Sequence, residues 1–573
     1  MRILRFLESA SDINALARAS STLYSWVNHL LYFGNNHEYG WDALHWAASR
    51  GKPDTIRAIQ RYTEALEHTV SATLKWRTAF HLAIEGGNQQ VVRLLLESHA
   101  SDLTSGEYPS LCDAARKGHS NVIHLAAELG NVDLNCEDST GRTLVSFAAG
   151  SGSVAMLKCL QRSGLVDPDK RDGMGRSPLA YAARDGHCLA IRVLLDWIDD
   201  PPDTRDIHGD SPFSLAARAG HLYALKELWK TGHSQLDTRG QSLRTPLSWA
   251  VLSGSLAAVQ YLLVLSADIN RADDLGQTPL SLAAMQGRVQ VVELLLGCRG
   301  ISPNIPDSRG YLLSHWAALG GHARVVQILS QHSHIEVDRP DSEGRTPLAL
   351  ATQSGHEAVV RMLLESFRVT VDSRDNEGRT PLSIALEGGF ERIAKLLLAT
   401  GQAQPDAPDH DGQSPLSWAA AGGLCPVHLI QELLQIWEVE PDSADAVGRT
   451  PASYAAEEGN DDVLKILLGT GQVDPDSNDK WGRSLIHWAA RYGQLSTVKL
   501  LLSTGRIDLE SRDRDGRTPL SWAASGAHKA TVRFLVSTGK ADLGSEDGQG
   551  RTPRWWAADR KPVDPSLVAM LSG

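Results

Sequence analysis

The chain has 573 residues, 42% apolar and 22% charged, with a formal net charge of −12; that is too long for one compact core, so several domains or a stack of small units is required. A negative balance with no Lys/Arg-rich block argues against a nucleic-acid or anionic-membrane binder. No apolar run approaches the roughly 20 residues of a membrane span, and the amino terminus lacks a basic start followed by an apolar stretch and cleavage site.

Residues 1 to 33 place Ile3, Phe6 and Leu7, then Ile13, Leu16 and Ala17, then Leu23 and Val27 at helical intervals, with Ser11 and Asp12 as a helix start between them. Two or three short amphipathic helices are predicted. The order I..FL....DL..L...S..L, carried by Ile3, Phe6, Leu7, Asp12, Ile13, Leu16, Ser20 and Leu23, resembles the later part of an F-box. The Leu-Pro and the helix that open an F-box would lie before Met1, so the resemblance is to a truncated one. It implies docking through Ile3, Phe6, Leu7, Ile13 and Leu16 onto the Skp-family adaptor of a cullin-RING ubiquitin ligase. By its residues alone, the 1–39 segment reads equally well as a helical cap covering the first repeat.

From residue 40 onward one string keeps returning, nearly intact as GRTPLSIA at Gly378, GQSPLSWAA at Gly412 and GRTPLSWAA at Gly516. Residues 40–140 carry it in degenerate form, with Ala43, Ala79 and Ser110 in the proline slot. Residues 141–573 carry it regularly, through Leu144, Pro178, Pro212, Pro246, Pro279, Leu313, Pro347, Pro381, Pro415, Pro451, Leu485, Pro519 and Pro553. From Leu144 on, the steps are 34 residues except one of 33 and one of 36. About sixteen copies result, each too small to bury its own apolar face, so each must lean on its neighbours.

Each copy reads as two short helices and a turn. In the copy around Pro347, Thr346 is placed to cap the first helix and the proline suits its first turn. Leu348, Leu350 and Ala351 give an apolar face, and Gly355 ends the helix. A second helix carries Val359, Val360, Met362, Leu363 and Leu364, followed by a polar segment ending in Asp-x-x-Gly, which is turn chemistry.

The unit DxxGRTPLxxAxxxGHxxVVxxLL resembles the ankyrin repeat. The resemblance implies an all-α solenoid of antiparallel helix pairs with projecting β-hairpin loops, and partner proteins held on a concave face. Joined to the segment before it, the array resembles the F-box/ankyrin multi-repeat proteins of filamentous fungi. Departures are Leu313 and Leu485 in the proline slot, Leu243 in the turn-glycine slot, and a shortened last helix in KPVDPSLVAMLSG.

Seven tryptophans (Trp46, Trp249, Trp316, Trp418, Trp488, Trp522, Trp556) share one slot in the first helix. Other copies put Leu, Ile, Phe or Tyr there, so the slot reads as core packing in preference to an aromatic cage. Aspartates such as Asp409 and Asp513 imitate the start of a calcium loop but lack its twelfth-position Glu, leaving them as turn formers. His119, His187, His221, His322 and His356 follow the inter-helix glycine, as the family's own His does, and the resemblance makes them structural. The residue after the turn glycine is Arg at Arg142, Arg176, Arg345, Arg379, Arg449, Arg483, Arg517 and Arg551. The resemblance places this row near the concave face, where forked guanidinium bonds would grip acidic partner segments. Alternatively each arginine pairs with an Asp in its own turn or the next.

No HExxH, GxSxG, Walker or dinucleotide-glycine signature occurs. The chain therefore reads as a monomeric binding protein with no cofactor, not an enzyme. Six cysteines without a CxxC pair fit a reducing compartment, cytoplasm or nucleus.

Overall fold

The computed structural model describes residues 44–57 (apart from Trp46), 70–103, 109–129, 134–198, 204–366, 369–559 and 564–572. The F-box-like positions Ile3, Phe6, Leu7, Ile13 and Leu16 lie outside them. The chain divides into two compact units, one ending at Asp274 and one beginning at Leu275. Within each, helix pairs follow one another in sequence order, first helix packing on first helix and second on second.

The copy at Pro347 shows why the unit forms. Thr346 takes an extended backbone (φ −84°, ψ 163°), its hydroxyl accepts from Ala349 N, and Pro347 opens the helix Pro347–Gln353. Thus the cap and the proline fill positions where the helix has no internal partner to offer. Pro347 through Thr352 are all buried, because this helix is enclosed by the first helices Leu313–Leu319 and Pro381–Glu387 on two sides and by its own second helix on a third. Alanine at 349 and 351 lets those neighbours approach closely.

The second helix, Glu357–Glu365, buries only Val359, Val360 and Leu363. One face is therefore covered and the other meets water. Each of those side chains contributes about 1.5–3 kcal/mol of transfer free energy, and the copy is stable only because neighbours supply the other half of the contact.

Gly355 joins the two helices at φ +72°, a conformation that side chains with a Cβ adopt at a cost. His356, next in sequence, donates from Nε2 to Leu319 O of the preceding copy at 3.0 Å. His322 does the same to Met285 O, His187 to Gly150 O and His119 to Glu85 O, at 3.0, 3.0 and 3.1 Å. The histidine thus supplies a donor to a carbonyl at the end of the neighbouring helix, which the helix itself leaves unpaired.

The expected β-hairpins are reduced to single turns. Asp341 N donates to Arg345 O and Gly344 N to Asp341 O, at 2.9 and 3.1 Å. Two bonds close the tip before any ladder begins. Among the described residues there is no strand, and one isolated antiparallel bridge joins Glu137 to Thr143. Neighbouring tips are joined through main chain: Ser342 N to Arg309 O, Asn376 N to Glu343 O and His410 N to Glu377 O, at 3.1, 2.9 and 3.0 Å.

Irregular copies have local causes. The helix expected to open near Ala79 begins at Val70 and runs to Glu85, since no Gly or Pro interrupts Val70 to Ala79. In the 36-residue step the two extra residues lie between the helices Pro415–Gly422 and Val427–Ile436, where Leu424 is exposed. The tip bond Ala446 N to Asp411 O is unaffected at 2.8 Å. Leu243 and Ala527, which replace glycines of the repeat, are held at φ 53° and 58°. Finally, Cys112 and Cys136, 24 residues apart in sequence, are both buried with sulfurs 3.6 Å apart.

Candidate binding face at the turn tips

The tip aspartate organises this face. Asp341 Oδ1 accepts from the backbone N–H of Glu343 and Arg345, both at 2.8 Å, which fixes the turn and buries the carboxylate. Its Oδ2 is left for side chains. Arg345 donates to it from Nε at 3.0 Å and from Nη2 to the Tyr311 hydroxyl at 2.8 Å.

Four more arginines of the row pair with the Asp of their own turn: Arg379 with Asp375, Arg449 with Asp445, Arg483 with Asp479 and Arg551 with Asp547, at 3.0, 3.2, 2.9 and 2.9 Å. Arg176 reaches instead to Asp206 of the next turn at 3.3 Å, while the Tyr181 hydroxyl donates to Asp172 Oδ2 at 2.5 Å. Arg142 lies 4.1 Å from the ring centroids of both Phe147 and Tyr181, its Nε without an acceptor among the described residues. Arg517 lies between Trp522 and Trp556, at 3.9 and 3.5 Å from their centroids, with Nε and Nη2 likewise unpartnered.

The tryptophan slot has a second purpose beyond bulk. The indole N–H of Trp316, Trp418 and Trp522 donates to Oδ2 of Asp307, Asp409 and Asp513, each at 2.9 Å, and Trp556 donates to Asp547 at 3.1 Å. Tyr454 donates its hydroxyl to Asp445 at 2.8 Å. An aromatic donor nine residues after the tip Asp accompanies this bond in these copies, but Trp488, nine residues after Asp479, has no acceptor for its indole N–H among the described residues. Trp249 lacks it because Gly240 stands in the Asp slot, and its N–H has no acceptor among the described residues.

Guanidinium and ring therefore alternate along the later copies. Arg449 stacks at 4.1 Å on Tyr454, Arg483 at 4.1 Å on Trp488 and Arg551 at 4.1 Å on Trp556. Arg491, outside the arginine row, lies 4.9 Å from Trp522 and joins the stack. Burial pulls the Arg483 and Arg517 guanidinium groups below the usual arginine value, with nearby arginines adding to the effect. No helix among the described residues is long and apolar enough to cross a membrane.

A family model described as ankyrin repeats in three copies matches residues 16–107, 111–206, 197–273, 213–307, 280–373 and 426–513. A second, ankyrin repeats in many copies, matches 349–398, and the single ankyrin repeat matches 515–548. No curated protein matches the chain. With capped helix pairs, αL glycines and bonded tips in phase with matches along most of its length, the chain belongs to the ankyrin-repeat family.

Proposed function

We propose that this ankyrin-repeat chain is a binding scaffold that holds partner proteins on the face made by its turn tips and first helices, and that it is not an enzyme. The observation that carries this reading is the exposure of large apolar side chains at the tips. Ile207 in the first unit is 64% exposed, and Leu275 and Trp481 in the second are each 48% exposed. Main-chain bonds already link neighbouring tips, so these joints do not depend on the exposed side chains. Exposed apolar groups on a rigid support mark interaction surfaces. The test is capture from cytoplasmic and nuclear extracts by the full chain, beside an Ile207→Ser, Leu275→Ser, Trp481→Ser variant. Partners retained by the parent and lost by the variant support the reading; a parent that retains none sinks it.

A narrower reading adds recruitment to a cullin-RING ubiquitin ligase through Ile3, Phe6, Leu7, Ile13 and Leu16. Its support is the order of those residues in the sequence. Co-purification of a Skp-family adaptor and cullin with the parent, abolished by Phe6→Ala with Leu7→Ala, supports it. If neither protein co-purifies, residues 1–39 act as a cap and the chain is a scaffold without a ubiquitin link.

A further inference from the structure

We propose that the tip-and-first-helix face of the last three copies, centred on Arg517, is a docking site for an acidic segment of a partner protein. The proposal rests on the scaffold reading above and names where, and for what chemistry, one part of the surface is built.

Three exposed aromatic side chains gather in this stretch: Trp481 at a tip and Tyr492 and Trp555 at first helices, 48%, 44% and 42% exposed. Arginine accompanies each, with Arg483 at 4.2 Å from the Trp481 ring centroid, Arg491 at 5.6 Å from Tyr492 and Arg551 at 5.3 Å from Trp555. Exposed aromatics beside arginine are the side chains that dominate binding energy at protein interfaces.

Positive charge is in excess here. The tip and first-helix residues 477–493, 511–526 and 545–559 hold 8 Lys and Arg against 6 Asp and Glu, whereas the whole chain holds 56 against 68. Arg517 adds unfilled donors. It is 7% exposed, and the tip carboxylate it would pair with, Asp513, gives Oδ2 to the Trp522 indole at 2.9 Å. Two donors of Arg517, Nε and Nη2, are left without a hydrogen-bond acceptor among the described residues, although Asp513, Asp515 and Asp547 lie near enough to act on its charge. In a site partly screened from water, such donors and the local excess of positive charge favour a carboxylate held at the rim.

The same stacking argues against a nucleic acid. Base stacking needs an open ring face, and the rings of Trp522 and Trp556 already lie against guanidinium groups at 3.9 and 3.5 Å. What the surface presents is arginine beside exposed aromatic side chains, which suits carboxylates alternating with apolar side chains.

The experiment uses the full chain and a fluorescein-labelled peptide of four Glu-Glu-Leu triplets, read by anisotropy. Its Gln-Gln-Leu counterpart and a fifteen-residue oligothymidine serve as comparison probes. Arg491→Glu should weaken the Glu peptide at least tenfold, and Trp555→Ser, which leaves charge unchanged, at least threefold. Arg324→Glu, on an exposed second helix elsewhere, should leave binding as in the parent. Equal affinity for the Glu and Gln peptides overturns the proposal, as does parent-like binding by a folded Arg491→Glu or Trp555→Ser variant. Tighter binding of the oligothymidine replaces it with a nucleic-acid site. Self-association of the parent that Arg491→Glu disperses makes a second copy the occupant. If only the peptide fails while the tip residues still govern capture from extracts, this site is wrong and the scaffold reading stands.

Discussion

Asn304 and Asp338 occupy the same position in successive repeats, yet only the asparagine bonds through both ends of its side chain. Asn304 Oδ1 accepts from Glu336 N at 2.9 Å while its Nδ2 donates to His334 O at 2.8 Å. Asp338 accepts through Oδ2 from Thr370, and its Oδ1 is buried with no partner among the described residues. Asp372 repeats the pattern, accepting from Gln404 N at 3.3 Å with Oδ1 unpartnered. Burial raises both carboxyls above the usual aspartate value.

Asp372→Asn should therefore stabilise the protein at pH 7, by about 1 kcal/mol, the new amide reaching the carbonyl of Gln402. The sign with pH follows from the raised pKa. The charged form is penalised above the folded-state pKa and the penalty is lifted as pH falls through it. The advantage of asparagine should shrink on acidification. Urea midpoints at pH 7 and pH 4 check both statements.

His315 works in the opposite direction. It is fully buried, its Nδ1 accepts from Leu312 N at 3.0 Å and its Nε2 faces Arg345 O at 3.3 Å, so the proton sits on Nε2 and the ring is neutral. Burial lowers its pKa from 6.5 to about 4. Below pH 6.5 the unfolded chain takes up a proton that the folded chain refuses, so stability is lost as pH falls from 6.5 towards 4. His315→Ser, which installs the residue that half of the copies use there, should lower stability at pH 7. It should also remove about 2–3 kcal/mol of the loss between pH 7 and 4. An unchanged slope of stability against pH would count against this account.

Leu243 and Ala527 hold glycine positions at φ 53° and 58°. Left-handed backbone costs an L-residue roughly 1–2 kcal/mol, partly offset by the greater freedom of glycine when unfolded. Leu243→Gly and Ala527→Gly should each raise the denaturation midpoint, by about 0.5–1 kcal/mol in free energy. Leu243 is 45% exposed, so little packing is lost with its side chain.

Asp547 accepts from Gln549 N and Arg551 N through Oδ1, and from Arg551 Nε and the Trp556 indole through Oδ2. Asp547→Ala leaves four donors without an acceptor, a loss of about 3 kcal/mol or more. Because each repeat touches only its neighbours, the damage should stay local. Hydrogen exchange should quicken in residues 547–572 while the helix Pro347–Gln353 keeps its protection. Uniform loss across the second unit would show that its repeats unfold together.

The regular copies were legible because each restates the same local chemistry: a Thr before a Pro, an Ala pair, a Gly before a His. Repetition turned weak signals into a register. The pairing of the arginine row was not legible. Arg345 binds its own turn and Arg176 the next although both follow the same Asp-x-x-Gly, so the choice is made in three dimensions. The same holds for Arg517, whose Nε and Nη2 have no acceptor among the described residues although Asp513 stands in its own turn. The approach of Cys112 to Cys136 crosses one repeat interface and leaves no spacing motif. The early start at Val70 followed from missing punctuation, an absence that the frame drawn through Ala79 passed over.

The tip-to-tip bonds set a rule for how the chain can change in length. In the second unit, from Ser308 bonded to Leu275 through to Gly548 bonded to Asp515, each link is main chain to main chain. Side chains add to a few of these links, as Ser342 Oγ does to Arg309 O, but the main-chain bond is common to all of them, so duplication or loss of one whole copy leaves two compatible tips facing each other. Genetic change in steps of one period is structurally quiet, whereas extra residues survive only where they bypass the tip, as the pair inserted before Val427 does. Such a chain can gain or shed binding surface a copy at a time while its joints stay the same.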